Sequence, residues 1–233
     1  MTPLPPYPST LAPTALIDSD HPAVAAFAAR HAVGVDDVER AVALYLAVRD
    51  GFRYDPYRID LSVAGMRASH VIEIGVGWCV PKAALLAAAA RAAGIPARVG
   101  YADVRNHLST ERMRQTMKTD LFVWHGYTEL WLEGQWVKAT PAFNSSLCRR
   151  HKVPALEFNG REDSLFQPYN FENEKFMEYV KFYGIYADVP VDEIVVAWEK
   201  AYGEERIQAW IRRLEEGGDR SLSDFEKEDV LME

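Results

Sequence analysis

The spacing of apolar residues in the first fifth of the chain predicts two helices. Asp20 lies two residues before Pro22, a combination typical of a helix start, and Gly34 is placed to end the Ala-rich segment that follows. A second apolar stripe, at a spacing of three and four residues, begins after Asp36 and ends at Gly51. Both segments are expected to pack through one apolar face.

The strongest helix prediction follows Pro81. The run KAALLAAAARAAG is rich in Ala and Leu, which have the highest helix propensity, and Gly94 is placed to end it. Small side chains all round this helix allow close approach by its neighbours, so we expect it to be buried. Cys79 lies at its N-terminal edge. The sequence pattern predicts no regular structure for residues 61–78 and 105–120.

Alternation of polar and apolar residues then predicts strands. Residues 97–104 (ARVGYADV) form one, and residues 121–143 form a hairpin with Glu133 and Gly134 as its loop. This register pairs Leu132 with Gln135, Trp131 with Trp136 and Glu129 with Lys138. It places His125, Tyr127, Glu129 and Trp131 on one face with Trp136, Lys138, Thr140 and Ala142, and Thr140 diagonal to His125.

The last third of the chain is expected to be helical. Apolar residues follow helical spacing from Glu172 to Tyr183, then at Ile194, Trp198 and Tyr202, and again at Ile207, Trp210, Ile211 and Leu214. We therefore divide the chain into a Pro-rich surface arm (1–18), a core with N-terminal helices (19–160) and a helical C-terminal extension (161–233). The final residues, 221–233, are acidic and predict a loosely docked tail.

Composition excludes several classes of protein. The 233 residues include 34 acidic and 26 basic side chains, so the net charge of -8 predicts neither nucleic acid nor anionic membrane as a partner. The longest aliphatic run, residues 83–90, is far shorter than the ~20 residues that cross a bilayer. Two cysteines and no signal-peptide pattern predict a cytoplasmic protein without a disulfide framework.

Cys79 is the candidate nucleophile. The first turn of a helix offers unpaired N–H groups that stabilise a thiolate or an oxyanion, and the glycines of IGVGWC let the backbone approach a substrate. A free cysteine is nevertheless more often a buried apolar residue. A thiol catalyst needs a base, and His125 opens the hairpin, although a histidine there is also compatible with a structural role. Thr140 occupies the position from which a third group would orient the imidazole.

These motifs resemble the transglutaminase-like superfamily. The similarity covers roughly residues 36–150: a Gly-Trp-Cys turn, an Ala-rich helix that continues into RAAGIPARVGY, a histidine flanked by aromatic residues, and a W-V-x-x-x-P strand. The resemblance implies an α+β, papain-like transglutaminase core, with the Cys-bearing helix packed on an antiparallel sheet, and here a helical C-terminal lobe. It also implies a Cys-His-Asp triad that cleaves or transfers an amide or peptide acyl group through a thioester, as in acyltransferases and cysteine proteases.

The third triad position departs from that pattern. The family has Asp before the proline of this strand, whereas this chain has Thr140, which can accept a hydrogen bond from the imidazole but supplies no charge. Asp103, Asp120 and Asn144 are reserve candidates. The alternative is a decayed domain that binds a peptide or protein without catalysis.

Other motifs weigh less. Cys148 and His151 form a C-x-x-H pair that could bind zinc with His107 or Cys79, but one pair favours a structural role, and no cofactor motif is present. We therefore expect neither cofactor nor metal. Four aromatic residues of this region could line an acyl-binding groove, but core packing is the simpler interpretation: Trp78, Trp124, Tyr127 and Trp131.

Overall fold

The structure is a computed structural model that describes residues 8–107, 109–166, 169–173, 176–215 and 225–231. The helices are α1 (Pro22–His31), α2 (Asp37–Gly51), α3 (Ala68–Ile74), α4 (Cys79–Ala92), α5 (Glu111–Met117), α6 (Ser145–Arg150), α7 (Val191–Tyr202) and α8 (Glu204–Glu215). The strands are β1 (Arg53–Tyr54), β2 (Val76–Gly77), β3 (Ala97–Asn106), β4 (Ser109–Thr110), β5 (Leu121–Leu132), β6 (Gln135–Ala139), β7 (Met177–Tyr186) and β8 (Val230–Leu231). Short 3₁₀ helices lie at Pro8–Thr10 and Phe225–Lys227.

A four-stranded antiparallel sheet forms one layer of the fold. Its strand order is β6-β5-β3-β7. The hairpin prediction is confirmed, with Leu132 opposite Gln135, Trp131 opposite Trp136 and Glu129 opposite Lys138. Glu133 and Gly134 both have positive φ, as the two central residues of a tight hairpin turn require. The register thus follows from the turn and from the cross-strand pairs.

The Ala-rich helix α4 is the centre of the molecule. It packs against β5 and β3 on one side and against α1, α2 and α3 on the other. Its residues from Cys79 to Arg91 are all buried, as its composition predicted. Gly94, with a φ of 80°, follows its C-terminal end. The α+β fold with a Cys-bearing helix on an antiparallel sheet is therefore confirmed.

The helix boundaries show where local signals compete. The second helix has the predicted start, since the Asp36 carboxylate accepts a hydrogen bond from the Glu39 N–H. The first begins one residue later than predicted, because the ring of His21, rather than Asp20, caps it by accepting from Ala23 N–H. The stretches predicted to be irregular contain α3 and α5, two seven-residue helices. Tertiary contacts stabilise helices this short, whose sequence signal is weak.

The helical prediction for Glu172–Tyr183 is wrong. Residues 177–186 form β7, which pairs with β3 at the edge of the main sheet. Short runs of Tyr, Phe, Val and Ile fit both helical and strand periodicity, and the strand is stabilised by the backbone groups of β3. The helical predictions for α7 and α8 are confirmed within the described residues.

The predicted surface arm is partly packed into the core. Leu16 and Ile17 are buried, contrary to expectation, and their N–H groups point to the carboxylate of Asp188. Arg91 of α4 donates to the carbonyl groups of Ala12 and Ala187, which ties the segment to the sheet. Residues 1–7 of the arm, and residues 221–224 and 232–233 of the acidic tail, lie outside the described residues. No helix in the described part of the chain is long and apolar enough to cross a membrane.

A buried lysine joins three elements behind the sheet. Lys82 of α4 is fully buried, and its ammonium donates to the carbonyl oxygens of Arg49 (2.9 Å), Phe52 (2.7 Å) and Ala142 (2.8 Å). Arg49 and Phe52 lie at the C-terminal end of α2, where helix carbonyls have no intrahelical partner and the helix dipole favours a cation. Burial lowers the pKa of Lys82 to about 7.

We expect Lys82→Met to reduce the free energy of unfolding by at least about 2 kcal/mol, because it leaves three buried carbonyl groups without a donor. Urea denaturation at pH 7 measures the change. The control is Lys200→Met, which replaces an exposed lysine of α7 and should change stability by less than about 0.5 kcal/mol. Equal effects of the two substitutions would contradict this role of Lys82.

Candidate active site

Cys79 is the first residue of α4 and lies directly beneath β5. Its side chain is buried, with the residue 8% exposed, and the backbone N–H groups of Gly126 and Val80 act to lower the pKa of its thiol. A Cβ at position 126 would come within 3.0 Å of the Val80 Cα. Glycine at this position therefore allows the strand to approach the start of the helix closely.

Burial determines the protonation of this thiol. Desolvation raises the pKa of Cys79 to about 12, although the N–H groups of Gly126 and Val80 act in the opposite direction. The sequence predicted a thiolate stabilised by the helix N-terminus. In this closed structure the apolar surroundings outweigh that stabilisation, and Cys79 is a neutral thiol at pH 7.

His125 lies on β5 next to a bulge. Its partner on β3 is Ala102, whereas the next paired residues are Phe122 and Val104, so β5 has an additional residue here. Trp124, within the bulge, has a φ of 58°, which non-glycine residues rarely adopt. A bulge changes the direction of the adjacent side chains, and this one sets the face on which His125 lies.

Side chains from two other elements satisfy the backbone of the bulge. Asp103 of β3 accepts from Trp124 N–H at 3.1 Å. Tyr202 of α7 accepts from Val123 N–H at 2.7 Å, and the Trp198 indole donates to the Val123 carbonyl at 3.0 Å. Asp103 was one of the reserve candidates, whereas Trp198 and Tyr202 were not predicted as positioning residues. Trp198 and Tyr202 are distant in sequence and appeared only as part of an apolar stripe.

The His125 ring is buried among apolar groups. It packs edge-on against Phe166, with 5.1 Å between ring centroids. Neither ring nitrogen has a hydrogen-bond partner within the described residues. Desolvation lowers the pKa of His125 to about 3, so the imidazole is neutral across the physiological range.

Cys79 and His125 line the same narrow cavity. Its volume is about 50 Å³, room for a few water molecules, and its apolar wall includes Trp78, Tyr54 and Tyr202. A second apolar cavity shares His125 and Tyr54 with the first. The fold thus brings the predicted nucleophile and base to one enclosed space.

Thr140 lies just beyond the end of β6. It is 1% exposed, and its hydroxyl has no hydrogen-bond partner among the described residues, so it makes no hydrogen bond to His125 here. Thr140 interacts with the Tyr179 hydroxyl: burial raises the pKa of Tyr179 to about 12, and the interaction with Thr140 opposes this rise. The geometry of that interaction is too poor for a hydrogen bond. Both Tyr179 and His125 pack against Phe166.

The reserve candidates have other roles. Asp103 accepts from Trp124 N–H and from the Tyr183 hydroxyl at 2.8 Å. Asn144 accepts from Tyr54 N–H and donates to Ser146. Asp120 is half-exposed and pairs with Arg105. The hydrogen bonds and ion pairs of these three side chains are therefore made with residues other than His125.

The remaining motifs also have defined positions. Among the aromatic residues considered for an acyl groove, Trp78 lines the cavity that contains Cys79, while Trp124 stacks on Tyr183 at 4.6 Å. Cys148 and His151 line the second cavity with His125. No group of three or more His, Cys, Asp or Glu side chains in the described part of the chain could hold a metal ion.

The low pKa of His125 predicts acid sensitivity of the fold. Above pH 6.5 the imidazole is neutral in both folded and unfolded chains; as pH falls toward 3, only the unfolded chain gains this proton, so stability is lost. Between pH 7 and 5 this effect should lower the unfolding free energy of the wild-type protein by about 2 kcal/mol, and we expect the variant His125→Leu to lack that decrease. Urea titrations at the two pH values measure it. His70→Gln, at a partly exposed site on α3, is the control and should keep the wild-type dependence.

Comparison with known proteins gives the family. None of the curated proteins matches the sequence significantly. A crystal structure named "Putative Cysteine Protease from Cytophaga hutchinsonii" aligns with 76% of this chain at 17% identity and a TM-score of 0.43, and this chain spans about half (53%) of that protein. The model of the family "Transglutaminase-like superfamily" matches residues 25–141, half of the chain, including Cys79, His125 and Thr140. The chain belongs to the transglutaminase-like superfamily.

Proposed function

We propose that the protein is a cysteine enzyme that cleaves or transfers an amide or peptide acyl group, with Cys79 as nucleophile and His125 as general base. The observation that supports this most directly is that both side chains line one cavity. The backbone N–H of Gly126, next to His125, also acts to lower the pKa of the Cys79 thiol. Family membership points to the same chemistry.

Proton transfer would accompany attack rather than precede it. Burial disfavours both the thiolate and the imidazolium, so the resting pair is neutral. His125 would take the thiol proton as the sulfur–carbon bond forms, and would return it to the departing amine as the carbon–nitrogen bond breaks. Water or an amine then resolves the thioester. The N–H groups at the start of α4 are candidates to stabilise the oxyanion.

Thr140 is proposed as a positioning residue for His125. The Thr140 hydroxyl and the His125 ring nitrogens are buried without hydrogen-bond partners among the described residues. Burying an unpaired polar group costs free energy, and a hydrogen bond between the two side chains in another conformation would remove that cost. Catalytic hydrogen bonds are often long or misaligned before substrate binds. A small movement around Phe166 that brings the two groups together would satisfy both.

A second candidate function is peptide or protein binding by a catalytically decayed domain. It is favoured by Thr140 at the position of the family's carboxylate and by the high pKa of the buried Cys79 thiol. Retention of Cys79 and His125 favours the enzyme, because a binding surface has no chemical need for both.

Incubation with a panel of peptide amides tests the proposed enzyme. We expect release of amine and a covalent acyl adduct on Cys79, detected by peptide mass spectrometry and removed by hydroxylamine. His125→Gln should slow release by about a hundredfold or more, because the base is lost, and Cys79→Ala should abolish the adduct. His70→Gln should react at the wild-type rate. An adduct on Cys148 instead, or amine release that survives Cys79→Ala, would contradict the assignment.

The variant Thr140→Val tests whether Thr140 orients the His125 ring or only packs in the core. The substitution keeps the shape but removes a buried hydroxyl that has no partner in the structure, so unfolding free energy should change by less than about 1 kcal/mol. We expect kcat to fall at least tenfold, because the imidazole loses its orienting partner. Unchanged kcat would exclude this role. Amidase activity gained by Thr140→Asp from an inactive parent would favour the decayed domain.

A further inference from the structure

The C-terminal residues 225–231 lie as a separate short segment on the surface of the core. The segment consists of the 3₁₀ turn Phe225–Lys227 and the strand β8. Its first residue, Phe225, contributes to the wall of the second cavity, the one that shares His125 and Tyr54 with the cavity containing Cys79. Residues 216–224, which precede it, are outside the described residues. The contacts of the segment resemble those of a bound peptide in three respects.

Phe225 is an aromatic anchor. Its ring is buried and contacts Tyr54, Tyr57 and His151, with centroid distances of 5.9, 5.7 and 5.7 Å. Phe225 is also part of the wall of the second cavity. A single aromatic side chain in a pocket of other rings is the usual anchor of a peptide ligand.

Glu228 is a polar anchor three residues further on. Its carboxylate accepts from the hydroxyls of Thr110 (2.6 Å) and Tyr57 (2.8 Å) and pairs with Arg112 (3.3 Å). A carboxylate with two hydroxyl donors and a guanidinium is recognised by charge and by geometry. A neutral residue at this position would lose the ion pair with Arg112.

Backbone and charge complete the contact. The strand β8 adds to β4 in antiparallel register, with Val230 opposite Thr110, which is how extended peptides bind to an exposed strand. His151 Nε2 lies 3.2 Å from the Glu228 carbonyl oxygen. Arg150 pairs with Asp229 at 2.9 Å. The core therefore presents basic and hydroxyl groups to an acidic segment.

We propose that the groove lined by Tyr54, Tyr57, Thr110, Arg112 and His151 is a recognition site for an extended acidic peptide that has an aromatic residue three positions before a glutamate. Residues 225–231 occupy this groove in cis. A partner or substrate with the same pattern enters in trans when they leave. The site adjoins His125, but binding there requires no chemistry at Cys79, so it is tested independently of the proposed reaction.

The test uses the full-length chain with Phe225→Ala and Glu228→Gln, which weaken the tethered segment. The probe is a fluorescein-labelled peptide amide, FEKEDVL, followed by fluorescence anisotropy. We expect this double variant to bind the probe at least tenfold more tightly than wild type, because a tethered segment competes at an effective concentration in the millimolar range. The peptide AEKQDVL, which lacks both anchors, should bind the variant at least tenfold more weakly.

The matched control is Glu226→Gln, which removes one negative charge beside the anchors and should bind the probe as weakly as wild type. Equal affinity of the double variant for the two peptides, or no saturable binding by a variant with the wild-type circular dichroism spectrum, would overturn the proposal. If the double variant does not fold, the single variant Glu228→Gln is tested with the same probe. It should bind the probe about threefold more tightly than Glu226→Gln, and equal binding would refute the groove.

Discussion

The close approach of β5 to the first turn of α4 is the constraint on which the candidate site depends. Gly126 allows it, since a Cβ there would lie only 3.0 Å from the Val80 Cα, a tighter contact than most side chains make. The backbone N–H of Gly126 acts to lower the pKa of the Cys79 thiol, and burial of the sulfur acts to raise it. The same geometry therefore both stabilises a negative sulfur and, by removing water, opposes its formation. Removal of water dominates, which is why the pKa of the thiol is raised.

Two sets of buried polar contacts hold this geometry in place. Lys82, one turn after Cys79, fixes α4 to the end of α2 and to the segment after β6 through three carbonyl groups. On the sheet, Asp103 and Tyr202 satisfy the backbone of the bulge that precedes His125. Each set uses strong hydrogen bonds in the interior, where an unsatisfied group is costly. The position of the thiol and the face of the imidazole are thus set by different elements.

The small size of the cavity limits which molecules can reach Cys79 and His125. A cavity with room for only a few water molecules is too small for an extended peptide, so a peptide would reach Cys79 only through a change in the cavity walls. The second cavity shares His125 with the first, and Phe225 of the acidic C-terminal segment forms part of its wall. The groups around the thiol and the imidazole are largely apolar, which is the physical reason why both are neutral.

The sequence by itself determined the elements with strong local signals. The Ala-rich helix after Cys79 was predictable from propensity and flanking residues, and the hairpin from its turn and alternation. Propensity also placed the nucleophile at a helix start and His125 on a strand. These features depend on neighbours within a few residues, so they are readable along the chain.

Only the tertiary structure decided the rest. The apolar spacing of residues 177–186 also fits a helix, but the segment forms a strand because its backbone pairs with the free edge of β3. The bulge before His125 depends on Trp198 and Tyr202, which lie far away in sequence, and the pKa of Cys79 depends on how completely the fold excludes water. Desolvation and long-range hydrogen bonds are properties of the assembled fold, and no local pattern in the sequence encodes them.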